Sequence, residues 1–233
     1  MGQISKQAGK PSTDNDVAAF LDKVKTLPGG DAKGQGRLVF AMDATMSRQP
    51  TWDRALSIQS QMFSETKRAG SLLVQLVYFR GFNECKASKW VGNPDALARL
   101  MTAVDCRGGS TQLSRVLTHV KAEAAKSGVS AVVYVGDAFE EHIDTVSQSA
   151  GEIGLLGVPV FMFQEGRDPI AERAFKEISR LTRGAFFRLD GTSPSILAEL
   201  LGAVAAYATG GRGALESRAK SGNASQMLLE QLK

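Results

Sequence analysis

Short apolar runs alternate with longer stretches in which apolar positions recur every three or four residues. The runs at 37–42, 72–79, 131–135, 158–163 and 185–189 are too short for helices and dense in Val, Leu and Phe, which predicts five strands. Residues 84–91 follow a Gly-containing turn at 80–83 and alternate Cys85, Ala87 and Lys89 against their other positions, which predicts a hairpin with 72–79. Helical spacing predicts a helix over 52–69, through Trp52, Leu56, Gln59 and Phe63, and further helices over 95–104, 113–125, 143–155, 169–181 and 194–208. One more is predicted at 16–27, where Val17, Phe20, Leu21, Val24 and Leu27 follow the capping candidates Thr13 and Asp14 and precede Pro28, Gly29 and Gly30.

Strands interleaved with helices long enough for right-handed crossovers predict an α/β fold. The expected form is a doubly wound, Rossmann-like three-layer sandwich: a six-stranded, mostly parallel sheet with one antiparallel edge strand at 84–91. Three regions follow. Residues 1–36 form an N-terminal extension with one short helix, 37–209 the α/β domain, and 210–233 a linker containing Gly210, Gly211 and Gly213 and a tail with an amphipathic piece at 226–232.

Composition and charge narrow the class. The chain has 233 residues, 43% of them hydrophobic, enough for one sizeable core. A net charge of +4 and a sequence pI near 9.1 suggest an acidic polymer as partner. The suggestion weakens once the charge is partitioned. Residues 1–36 carry five Lys against four Asp, residues 210–233 four basic against two acidic groups, and the body between them 19 against 18. Nucleic acid is therefore not expected as a partner. Two Cys and two His leave no disulfide framework and no zinc set, which points to a reducing compartment, the cytoplasm. No apolar run approaches the roughly 20 residues of a spanning helix, and the first 16 residues lack the apolar core of a signal peptide. A myristoylation signal fails at Lys6, so no membrane association is expected.

Sites in such sheets form beyond the carboxyl ends of the strands, where strand order reverses. The first strand ends in Met42-Asp43-Ala44-Thr45-Met46-Ser47, which offers a carboxylate and two hydroxyls at alternate positions. The Gly108-Gly109-Ser110-Thr111 loop and Gly136-Asp137 at the end of the fourth strand add a hydroxyl and a second carboxylate. If the first and fourth strands are neighbours, Asp43 and Asp137 approach each other, and two ionised carboxylates side by side call for a cation or strong donors. Hard divalent cations prefer such oxygen ligands.

Over about residues 37–209 this pattern resembles a von Willebrand factor A (VWA) domain of bacterial type, whose metal-ion-dependent adhesion site is written DxSxS followed by a distal Thr and a distal Asp. The first element matches Asp43-Ala44-Thr45-Met46-Ser47, the Thr matches Thr111, and the Asp matches Asp137. The resemblance implies that the hydroxyls of Thr45, Ser47 and Thr111 contact the metal directly and that Asp43 and Asp137 act largely through metal-bound water. It also implies Mg²⁺, or Mn²⁺ or Ca²⁺, as cofactor, no enzymatic activity, and a protein partner that offers an acidic residue to the metal. Bacterial proteins of similar form act as adaptors for ATPases or chaperones. Three positions depart from the family pattern: Thr45 replaces a Ser, Met46 a frequent Gly, and Gly136 a usual Ser, Thr or Asp.

An alternative order of residues, Asp43, Thr111, Lys126 and Gly136-Asp137, mimics the Mg²⁺-dependent phosphatases and phosphotransferases of the haloacid dehalogenase group, with Asp43 as nucleophile. Against it, residues 95–104 read as a helix ahead of Thr111, where that group has a strand. The remaining conspicuous residues read as structural. His119 and His142 are not assigned as ligands, Trp52 and Trp90 are expected to pack on the sheet or its edge, and Cys85 is expected to be a half-buried thiol. Ser110 reads as a loop or cap residue. Glu140 and Glu141 are expected to complement the positive end of the helix that begins near 143. Leu215, Met227, Leu228, Leu229 and Leu232 suggest a tail helix that docks on its own domain or on a partner, with a disordered tail as the alternative reading.

Overall fold

Strand residues of this chain alternate between two separate cores. In a computed structural model that describes residues 35–58, 71–189 and 194–221 together with Ala19, the strands are β1 (Gln35–Asp43), β2 (Ser71–Arg80), β3 (Glu84–Ala87), β4 (Ala131–Gly136), β5 (Val160–Glu165) and β6 (Phe186–Leu189). They form one sheet in the order β3-β2-β1-β4-β5-β6, parallel except for β3. Leu38, Phe40 and Met42 of β1 face one side and Val39 and Ala41 the other, the period of two that a strand buried on both faces requires.

The helices form the outer layers. α1 (Gln49–Ile58), α2 (Pro94–Thr102) and α6 (Pro194–Ser221) cover one face, while α3 (Leu113–Ser127), α4 (Ile143–Leu155) and α5 (Pro169–Leu181) cover the other. On the first face Trp52 of α1 is buried edge-on to Tyr78 and donates its indole N–H to Met101 O at 3.0 Å. On the second, Tyr134 stacks on Phe79 and meets Phe175 edge-on. Burial of both faces explains why the central stretches 38–42, 131–135 and 160–163 of β1, β4 and β5 are unbroken apolar runs rather than alternating with polar residues. The expected doubly wound sandwich with one antiparallel edge strand is what the sheet shows.

Two expectations change. The edge strand ends at Ala87 rather than continuing to 91, because the Ser88 hydroxyl takes the Leu76 N–H at 3.0 Å and breaks the ladder. Pairing resumes only as an isolated bridge between Val74 and Val91. Helical residues also continue past the expected linker: α6 runs to Ser221, with a break in helical geometry at Gly210 and Gly211. Residues 200–209 of α6 are buried on every side, as a run apolar up to Thr209 demands, and the Thr209 hydroxyl is satisfied by donating to Ala205 O and Ala206 O at 3.1 Å each. Ala19 apart, the predicted helix at 16–27 lies outside the described residues, as do the second half of the one at 52–69 and the tail piece at 226–232. Among the described residues no helix is long and apolar enough to cross a membrane.

Candidate functional site

β1 and β4 lie side by side at the centre of the sheet, and the strand order reverses between them. The loops that leave them therefore run to opposite layers and open a crevice at their carboxyl ends. Asp43 is the last residue of β1. Its Oδ1 accepts the Thr45 N–H at 2.7 Å, an Asx turn that swings the chain into the short helical turn Met46–Arg48. Ala44 keeps the strand register one residue longer, donating to Phe79 O at 2.9 Å and accepting from the Arg107 N–H at 3.0 Å. The loop ahead of Thr111 is thereby tied to the end of β1.

Thr111 is positioned by two further attachments. Its N–H donates to Glu140 Oε2 and its Oγ1 accepts from the Glu140 N–H, both at 3.1 Å, so the loops after α2 and β4 hold each other reciprocally. On the other side the Ser110 N–H donates to Gly81 O at 3.1 Å, and the Gln112 side-chain amide donates to the carbonyls of Arg80 and Gly81 at 3.1 Å each. Gly109 passes so close to that turn that a Cβ on it would lie 2.1 Å from Gly81 O. Only glycine fits there.

The five residues singled out in the sequence share one cleft. Asp43, Thr45, Ser47, Thr111 and Asp137 border a space of about 260 Å³ together with Met46, Gly108, Gly109, Ala138 and Glu140. Asp43 forms the inner end at 2% exposure, Thr45 and Thr111 are buried, Asp137 is half-buried, and Ser47 is exposed at the rim. Thr45 Oγ1 and Ser47 Oγ stand 3.4 Å apart, and Ser47 Oγ stands 3.4 Å from Asp137 Oδ2, long contacts for hydroxyl donors. The oxygens are gathered around a common space.

The donor chemistry of these five is uniform, two carboxylates and three hydroxyls, and the rest of the lining adds the Glu140 carboxylate but no imidazole or thiol. Among the described residues no group of three or more His, Cys, Asp or Glu could hold a metal, so a cation here depends on the hydroxyls. Such an oxygen set fits Mg²⁺, Mn²⁺ or Ca²⁺ and not a soft metal.

The floor beneath the cleft explains why residue 136 is a glycine. A Cβ at Gly136 would meet the Tyr134 ring at 2.8 Å and its hydroxyl at 3.0 Å, so Tyr134 occupies the space that a side chain at 136 would need. Burial pushes the Tyr134 phenol well above its ordinary range, and the nearby carboxylates of Asp43, Glu141 and Asp137 push it further the same way. It remains neutral.

Glu140 and Glu141 do not serve the helix that follows them. His142 occupies the α4 N-cap position without a side-chain cap bond, while Glu141 accepts from the Ser114 N–H at 2.9 Å and from the Leu113 N–H, capping α3 across the cleft. Their acidity was visible in the sequence; which helix end they face is a tertiary fact. The other conspicuous residues are structural. His119 Nε2 bonds Gln75 Oε1 at 2.8 Å, and burial lowers its pKa. Trp90 donates to Glu123 at 3.0 Å, and Cys85 is half-buried with its thiol pushed up to about 11 by burial.

No protein-family model matches this chain, and no curated protein matches it. Solved structures do. A von Willebrand factor type A protein from Catenulispora acidiphila superposes with a TM-score of 0.60 at 13% identity, covering 76% of this chain and 43% of that one. The SpRpn10 VWA domain superposes with a TM-score of 0.55 at 11% identity, covering 71% of this chain and 93% of that domain. This chain has a VWA fold. The TFIIH p34 N-terminal domain is also similar, with a TM-score of 0.53, 15% identity, and coverage of 73% of this chain and 97% of that one. This chain thus spans less than half of the Catenulispora protein and nearly all of the two single domains. Within the VWA fold the cleft sits at the switch point of the sheet. The haloacid dehalogenase order finds no support, since Thr111 follows helix α2 and a loop rather than a strand.

Proposed function

We propose that this chain is a non-enzymatic, divalent-metal-dependent protein-binding module, an adaptor within a larger complex. Mg²⁺, or Mn²⁺ or Ca²⁺, would be held by Asp43, Thr45, Ser47, Thr111 and Asp137. The observation that carries this reading is the convergence of those five oxygen-bearing side chains from three separate loops on one cleft. When bound, the cation offsets the two carboxylates and offers a coordination position to an acidic residue of a partner protein. The chain's own residues do the positioning. Asp43 and Thr45 are fixed by their turn, Thr111 is fixed by Glu140, and Ser47 at the rim borders the approach.

Thermal melts in Mg²⁺, Mn²⁺, Ca²⁺ and EDTA test the proposal. Ligand at 100 times its Kd stabilises a native state by about 2.7 kcal/mol, which for a domain of this size raises Tm by roughly 5–10 °C. That rise is expected in wild type and absent in Asp43→Ala. A wild-type protein indifferent to every metal and to chelator overturns the metal assignment, and turnover of a phosphate ester overturns the non-enzymatic one.

A further inference from the structure

On the reading that the cleft holds a cation, we infer that the partner's acidic residue is flanked by apolar side chains, which seat on a rim formed by Met46, Phe82, Ile143 and Ile170. Six large hydrophobic residues are exposed among the described residues, and these four are among them, at 64%, 78%, 37% and 64% exposure. Their positions in the topology are shared. Met46 follows β1, Phe82 follows β2, Ile143 opens α4 after β4, and Ile170 lies in the first turn of α5 after β5. Those four strands are parallel, so all four residues stand on the sheet edge that carries the cleft. The other two, Leu155 and Leu156, lie at the far end of α4, on the opposite edge.

The order across the sheet sets the shape of the ligand. Phe82 stands over β2, the cleft with Met46 over β1 and β4, and Ile170 over β5. Adjacent strands are about 4.8 Å apart, so this row spans roughly 14 Å, the reach of four or five extended residues. Charges of both signs lie near the rim. Arg107 faces Asp105 at 3.8 Å, Arg115 is bonded to Asn83, and Glu140 is held by Thr111. A loaded cleft would therefore present one coordination position for an oxygen ligand, flanked by apolar side chains. Its complement is one carboxylate with apolar neighbours on both sides, and burial of exposed apolar anchors around a central polar contact is how small interfaces gain affinity.

The test uses a library of random dodecapeptides displayed on phage, captured on the full-length protein in Mg²⁺ and released with EDTA. Recovered peptides are expected to carry Asp or Glu between Leu, Ile, Val, Met or Phe residues. Their synthetic versions should bind Phe82→Ser and Ile170→Ser roughly tenfold more weakly, while both variants keep the wild-type Mg²⁺ shift in Tm. An Mg²⁺ shift with no EDTA-released peptides, with acidic peptides lacking apolar bias, or with unchanged affinity in the rim variants overturns the rim proposal alone. Absence of the Mg²⁺ shift in wild type overturns the metal reading and the rim with it. Self-association in sedimentation that Phe82→Ser abolishes assigns the apolar ring to a second copy of this chain and overturns the peptide-ligand proposal.

Discussion

Gly109 and Gly81 meet at a backbone contact that no side chain can enter, and the position of Thr111 two residues later depends on it. Gly109→Ala puts a methyl group 2.1 Å from Gly81 O, so the loop must shift as backbone moves against backbone. The expected result is a folded protein whose Mg²⁺ response in thermal melts is reduced or lost, whereas Gly108→Ala, whose Cβ meets nothing within 4 Å, keeps it. The residue scale is also where the sequence was most legible. Loop position and residue type singled out Asp43, Thr45, Ser47, Thr111 and Asp137, and all five line one cleft. Tyr134 was not singled out: a Tyr inside an apolar run reads as core, and only the folded sheet brings its ring beneath Gly136.

At the scale of elements, the cleft is held open by helix ends and a hairpin. Glu141 accepts from two N–H groups in the first turn of α3, donors that the helix itself leaves unsatisfied. Glu141→Gln keeps one acceptor but removes the charge that favours a helix N-terminus, and a loss of about 1 kcal/mol is expected, read as a Tm drop of roughly 2–4 °C. The β2–β3 hairpin has its own pH signature. Glu84 bonds Arg80 at 3.0 Å and Lys86 at 2.9 Å, and these partners hold its carboxyl at about 2 instead of the ordinary 4.5. A depressed carboxyl contributes stability above its unfolded pKa and loses it as pH falls through 4.5 toward 2. Glu84→Gln should therefore lower Tm near neutral pH, and the gap from wild type should close over that acid range in a pH series of melts. Element boundaries were less legible than residue types, because Ser88 interrupts β3 through a side-chain bond to a neighbouring strand.

For the molecule as a whole, one sheet carries two cores, and neither face is optional. Trp52 anchors the first and Phe175 the second, both within the fully buried set. Truncating either to Ala is expected to cost about 3–5 kcal/mol, the range for large aromatic side chains in close-packed interiors. Chemical denaturation of both variants should remain a single transition whose midpoint falls by a similar amount, since the strands are common to the two cores. A variant that melted in two steps would show that the faces fold separately.

Periodicity alone determined the kinds of element, their order and the α/β class, because buried strands and amphipathic helices have different spacings and glycine and proline separate them. Residue type alone determined which loops offered oxygen-bearing side chains. Tertiary structure decided what local pattern does not encode. It made β1 and β4 neighbours, so that residues 43 and 137 face the same cleft, and it turned Glu140 and Glu141 away from their own helix toward Thr111 and α3. It also set four scattered apolar residues on one edge. The physical reason is common to all three. Strand order and parallel direction are fixed by contacts between residues far apart in the chain, and a loop's neighbours follow from that order rather than from its own sequence.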